Sequence, residues 1–242
     1  MFEWIQDPSA WIALLTLTAL EIVLGIDNII FIAILVNKLP SEKREKARII
    51  GLGLAMIMRI LLLLSLFWIM KLTTPLFEIF SNEISGRDLI LILGGLFLIA
   101  KSTTEIHDDI EGITEEDRED NKTISFIGTL VQIALLDIIF SLDSVITAVG
   151  MVNNVEIMII AVVVAVIIMM FASKSISDFV DNNHTIKVLA LSFLILVGFV
   201  LVADGFGVHV PKGYIYSAMA FSLAVESLNI MFRKKRAIIE NN

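Results

Sequence analysis

Two eight-residue runs carry the chemistry of this chain: Glu21-Ile22-Val23-Leu24-Gly25-Ile26-Asp27-Asn28 and Asp137-Ile138-Ile139-Phe140-Ser141-Leu142-Asp143-Ser144. They match position by position as acid, aliphatic, aliphatic, large apolar, small, aliphatic, Asp and small polar. Each lies inside a long apolar stretch. A carboxylate at the centre of a bilayer costs ~2.5–3.5 kcal/mol on insertion scales, so four of them point to function rather than to stability. Asn28 and Ser144 add neutral oxygens, and the chain has no Cys. An all-oxygen, carboxylate-rich set suits a hard divalent cation such as Mn²⁺, Mg²⁺ or Ca²⁺. Zn²⁺ or Cu⁺ would favour imidazole or sulfur, and the three histidines, His107, His184 and His209, map to span ends or loops as ordinary interfacial residues.

On a regular helix an offset of six residues leaves the two acids of each run ~120° apart in direction and ~9 Å apart along the axis. A break at Gly25 and Ser141 is therefore expected, bringing each pair together and freeing backbone carbonyls as ligands. Glu21, Asp27, Asp137, Asp143, Asp204 and Glu226 set six acids against two bases within spans, Arg59 and Lys101. Internal pairing cannot neutralise that set, so the surplus is protonated, bound to cations or open to a water-filled cavity. Arg59 and Lys101 are candidate charge partners, either as permanent structural partners or as counter-ions that the entering cation displaces. Asp204 and Glu226 join the site or reach the outer and inner interfaces, respectively. Met56, Met58, Met169 and Met170 read as packing residues.

The elements that must position these groups are membrane helices. Of 242 residues, 57% are apolar and 18% charged, and the mean hydropathy is +0.88. Apolar stretches of about 20 residues recur, enough to cross a hydrocarbon core of ~30 Å, whereas the ~10-residue alternation of an outer-membrane barrel is absent. The fold class is all-α and polytopic, with seven spans over 10–36, 48–70, 88–106, 123–150, 155–176, 186–204 and 213–232. No basic segment precedes the first span, so a cleaved signal peptide is not expected. The connections after spans 1, 3 and 5, with the tail, hold 13 of the 18 basic residues, while the opposite side holds only Lys71, Arg87 and Lys212. The positive-inside rule then places the N-terminus outside and the C-terminus in the cytoplasm.

Spans 1 and 4, which carry the acid runs, are three crossings apart and run in opposite directions. Gly95-Leu96-Phe97-Leu98-Ile99-Ala100-Lys101 in span 3 aligns with Gly198-Phe199-Val200-Leu201-Val202-Ala203-Asp204 in span 6. Two inverted three-helix repeats follow, 10–106 and 123–212, joined by an acidic cytoplasmic linker over 107–122. A seventh helix at 213–232 and a basic cytoplasmic tail at 233–242 complete the chain. The linker lacks the alternating ligands of a calcium-binding loop and reads as a solvated connection. Inverted repeats with polar groups at mid-membrane are a signature of secondary transporters, whose halves rock about a fixed site. No nucleotide-binding motif, His–Glu zinc motif or Ser nucleophile with a base is present, so neither an enzyme nor an organic cofactor is expected. The expected partners are the lipid bilayer, the cation and, as a further candidate, a second copy of the chain. No basic, aromatic-rich face suggests nucleic acid.

The two acid runs, together with Pro211-Lys212-Gly213-Tyr214-Ile215-Tyr216, strongly resemble the TerC family of bacterial integral membrane proteins over about residues 5–232. The likeness is greatest to short, single-domain inner-membrane members. The resemblance implies export of a divalent cation, Mn²⁺ first, with ion-binding positions at Glu21, Asp27, Asn28, Asp137, Asp143 and Ser144. Proton exchange at the carboxylates is the expected coupling. The alternatives it carries are a membrane scaffold or assembly factor, and a tellurium-resistance component that transports no ion.

Overall fold

A computed structural model describes residues 6–65, 72–79, 82–112, 125–151 and 154–240, the side chains of Asp27 and Asp143 among the exceptions. Seven helices dominate: α1 Pro8–Asn37, α2 Ser41–Leu64, α3 Gly86–Ile110, α4 Phe126–Met151, α5 Val155–Asp181, α6 His184–Gly205 and α7 Lys212–Glu240. Each contains a segment long and apolar enough to cross a membrane, and the protein is an all-α polytopic membrane protein. Local sequence sets several helix starts. Asp7 accepts from the Ser9 backbone N–H ahead of Pro8, and Asn154 accepts from that of Glu156. Ser85 and Asp88 form a reciprocal capping box at the start of α3.

Between α2 and α3 the chain forms an antiparallel hairpin, β1 Pro75–Ile79 and β2 Asn82–Ser85, with Glu78 opposite Glu83. No strand was expected there. The hairpin is anchored where Ile84 is buried and Ser85 caps α3. Other boundaries also move. The polar run from Ser41 forms the first turns of α2, ahead of the apolar span. The basic tail is the continuation of α7, not a separate segment. The acidic linker begins as the last turn of α3, and its residues 113–122 lie outside the described residues.

The main packing crosses between the two repeats. α3 lies along α6, α1 along α5, and α2 along α4, with α1–α4 and α2–α5 contacts completing a central four-helix bundle. Exchanging α1 with α4, α2 with α5 and α3 with α6 maps this set of partners onto itself, as a pseudo-two-fold arrangement requires. Helix directions agree. Gly25 with Met169 and Asn37 with Asp181 are both 144 residues apart, so α1 and α5 run parallel. Arg87 meets Asp204 and Asp109 meets Lys187, so α3 and α6 run antiparallel.

Gly95 and Gly198, the residues aligned between the repeats, meet at the α3–α6 crossing. A Cβ on Gly198 would lie 2.8 Å from the Gly95 carbonyl oxygen, and one on Gly95 would strike the Gly198 carbonyl. The repeats are therefore interleaved rather than packed as two bodies. The first six helices divide into a central bundle and an α3/α6 pair, each drawn from both repeats. α7 packs chiefly on α6.

Candidate functional site

Glu21 stands near the middle of α1 and Asp137 near the middle of α4. Both are buried, at 4% and 3% exposure, and both are engaged by the guanidinium of Arg59 from α2, itself 3% exposed. Arg59 Nη1 donates to Glu21 Oε2. Its Nη2 and Nε donate to Asp137 Oδ1 at 3.0 and 3.3 Å. Asn28 Nδ2 donates to the same oxygen at 3.0 Å. Asp137 Oδ1 thus accepts three hydrogen bonds, while Asp137 Oδ2 is buried and has no hydrogen-bond partner among the described residues. Ser141 Oγ, one turn along α4, is also buried and lies beside the Asp137 carboxylate. Ser144 Oγ is turned back to the Ser141 carbonyl at 3.1 Å.

The expected break is absent: α1 runs unbroken through Gly25 and α4 through Ser141. The physical reason is visible in the spacing. On an intact helix, residues four and seven positions beyond an acid lie within ~40° and ~20° of its direction. Glu21, Gly25 and Asn28 therefore form one stripe, and Asp137, Ser141 and Ser144 its counterpart; all six are buried. Arg59 joins Glu21 to Asp137 and Asn28 reaches Asp137 without any unwinding, while Gly25 faces Met169 of α5. Asp27 and Asp143 occupy regular helical positions beside the stripes, and their side chains lie outside the described residues. Among the described residues no group of three or more His, Asp or Glu side chains gathers as a metal cage.

Among the described residues, Arg59 is the charge partner of Glu21 and Asp137, and Lys101 pairs elsewhere. Lys101 Nζ pairs with Glu105 Oε1 at 2.7 Å, one turn along α3. Glu105, 3% exposed, also takes Lys38 from the end of α1. This ion cluster around a buried carboxylate was not anticipated, although Glu105 falls inside the expected span 88–106. Its spacing of four from Lys101 was the available signal. Asp204 lies in the last turn of α6, apart from Glu21 and Asp137. It is held by Arg87 at 3.3 Å and by His209 at 3.1 Å where α3 and α6 meet. Glu226 bonds Asn229 at 3.1 Å along α7, away from the acid cluster. The three histidines sit at helix ends with side chains 63–81% exposed, as expected of interfacial residues.

The model of the integral membrane protein TerC family matches residues 6–238, nearly the whole chain and both acid stripes. The chain belongs to the TerC family. Among relatives, a UPF0053 protein of Haemophilus influenzae is 61% identical over 234 residues, covering 97% of this chain and 99% of that one. The UPF0053 inner membrane protein YgdQ of Escherichia coli is 61% identical over 238 residues, covering 98% and 100%. The longer UPF0053 protein YegH of Escherichia coli is 50% identical over 241 residues, which are 99% of this chain but 46% of YegH. No solved structure matches. The TerC domain is therefore a whole protein in YgdQ and part of a larger one in YegH.

Proposed function

We propose that this TerC protein is a secondary transporter, not an enzyme, that exports a divalent cation across the bacterial inner membrane. The cation binds between Glu21 and Asp137. One observation carries the reading: acids from counterpart positions of the two repeats meet on a single buried cation, Arg59, and Asp137 Oδ2 takes no hydrogen bond from it. A buried carboxylate oxygen with no donor is costly in a low-dielectric interior. A hard cation satisfies it, with Asn28, Ser141 and Ser144 as neutral oxygen donors. Mn²⁺ is the first candidate cargo, and Mg²⁺ and Ca²⁺ share the donor preference. The metal and the outward direction follow the family resemblance; the donor chemistry follows the residues.

Energy comes from exchange with protons at the carboxylates, which do not all stay ionised when the cargo leaves. The N-terminus lies outside and the C-terminus in the cytoplasm, in keeping with the distribution of basic residues. Asp27 and Asp143 complete the path on either side of the central pair. Alternating access is a movement of the α3/α6 pair against the four-helix bundle. Flux into proteoliposomes tests the reading, with Mn²⁺, Mg²⁺, Ca²⁺ and Zn²⁺ compared and an entrapped pH dye reporting proton movement. The wild type should carry Mn²⁺ with a linked pH change, and Asp137→Asn should cut flux at least tenfold. Equal flux in the two proteins would refute the site. Mn²⁺ flux without a pH change would refute the coupling.

A further inference from the structure

We infer that Arg59 is a tethered counter-cation, exchanging with the cargo for the Glu21–Asp137 pair and thereby restricting the site to ions that outcompete a guanidinium. The inference rests on the proposed export reading and specifies how the same site selects and releases its ion.

The hydrogen-bond pattern distinguishes this role from that of a fixed strut. A strut between two carboxylates is best built from bidentate forks, in which parallel N–H groups satisfy both oxygens of each acid. Arg59 instead directs two of its donors to the same oxygen, Asp137 Oδ1, where Asn28 Nδ2 also donates. Asp137 Oδ2 takes no hydrogen bond from Arg59 or Asn28, and its carboxylate has the buried Ser141 hydroxyl beside it, one turn along α4. The cluster thus presents more oxygen than one guanidinium uses. A divalent cation takes six or more oxygen ligands and has use for the surplus.

Charge points the same way. Glu21, Asp137 and Arg59 together carry one net negative charge, whereas the two acids with a divalent cation carry none. A monovalent ion replacing Arg59 gains no charge over the guanidinium and loses its three directed hydrogen bonds. A divalent ion doubles the charge facing the same two acids, and Coulomb energy scales with that product. Discrimination by valence is therefore built into the competition. The same competition aids release, because Arg59 is anchored on α2 and returns at high effective concentration when the cargo leaves.

Equilibrium Mn²⁺ binding to the purified full chain, with export from loaded proteoliposomes, tests the inference using Arg59→Gln, Arg59→Lys and Asp137→Asn. Arg59→Gln should bind Mn²⁺ at least tenfold more tightly than the wild type and export it at least tenfold more slowly, because nothing displaces the ion. Arg59→Lys, which keeps the charge, should stay within about threefold of the wild type in both measurements. Unchanged or weaker binding by Arg59→Gln, while Asp137→Asn loses binding, would overturn the counter-cation role and leave the export site standing. Unchanged binding by Asp137→Asn would instead overturn the site itself. Should Arg59→Gln yield no folded protein, Arg59→Lys decides: export within threefold supports exchange, and a loss beyond tenfold supports a fixed fork.

Discussion

Replacing Gly95 with alanine tests the interleaved architecture, because that glycine lets α3 and α6 touch backbone to backbone. A Cβ there would meet Val202 Cγ2 at 2.8 Å and the Val202 backbone nitrogen at 3.0 Å, besides the Gly198 carbonyl. Ordinary contact begins at 3.4 Å, and the reciprocal Gly198 Cβ would lie 2.8 Å from the Gly95 carbonyl. Backbone atoms have no rotamer by which to yield, so the helices must separate by at least about 0.6 Å (3.4 − 2.8) at this crossing, the contact of a Gly95 Cβ with the Gly198 carbonyl being the tighter of the two. A gap of that size forfeits roughly a quarter to a half of each dispersion contact along the seam, and overpacking of this kind costs ~1–3 kcal/mol. Alanine returns up to about 1 kcal/mol through its helix propensity, leaving a net change between about zero and a loss of ~2 kcal/mol, and a deficit of ~1–3 kcal/mol against a glycine-to-alanine change that meets no neighbour. Reversible unfolding in mixed detergent micelles measures it, with Gly213→Ala as control because nothing lies within 4 Å of a Cβ there. The double variant Gly95→Ala/Gly198→Ala should lose less than the sum of its parts, since one separation accommodates both methyls. Gly95→Ala as stable as the control, or a strictly additive pair, would refute the close crossing.

Three further outcomes follow from the charged groups. Glu105→Gln should destabilise the protein by roughly 1–3 kcal/mol in the same unfolding assay, because the buried carboxylate holds both Lys38 and Lys101. Lys187→Gln leaves Asp109 without its lysine where the end of α3 meets the start of α6, and amide exchange should quicken around 105–110 and 184–190 but not around 87–95. The hydrogen bonds from Ser9 hold the Asp7 carboxyl below its ordinary pKa. A group whose folded pKa is lowered stabilises above its unfolded value and loses that contribution as pH falls through the folded one. Protection of the Ser9 amide should therefore fade in acid, below the usual aspartate range, and Asp7→Asn should remove that pH dependence.

The seven spans, the two repeats and the Gly95–Gly198 correspondence were legible in the sequence, because bilayer thickness and inverted topology leave a period in the residues themselves. The hairpin at 75–85 was not, since its anchor is the tertiary burial of Ile84 and the capping box of Ser85. Within the site, the acids were legible but their geometry was misread. The spacing of six between Glu21 and Asp27 drew attention to a break, whereas the spacing of seven between Glu21 and Asn28 already placed an amide on the acid's own face. Which base would pair with the acids could not be read from the chain. Arg59 and Lys101 look alike as basic residues within spans, and only the α2–α4 packing brings Arg59 to Asp137 while Lys101 turns along α3 to Glu105. The partners of Asp204 and Asp109 likewise arise where α3 and α6 lie antiparallel, which no local pattern records.

Anomalous diffraction from crystals grown with Mn²⁺ tests the central claim most directly. A metal peak is expected between Asp137 Oδ2 and the Glu21 carboxylate, at the ~2.0–2.6 Å of hard-cation oxygen bonds, with the Arg59 guanidinium withdrawn from Asp137. A peak bound only elsewhere, with Arg59 still joined to both acids, would contradict the account.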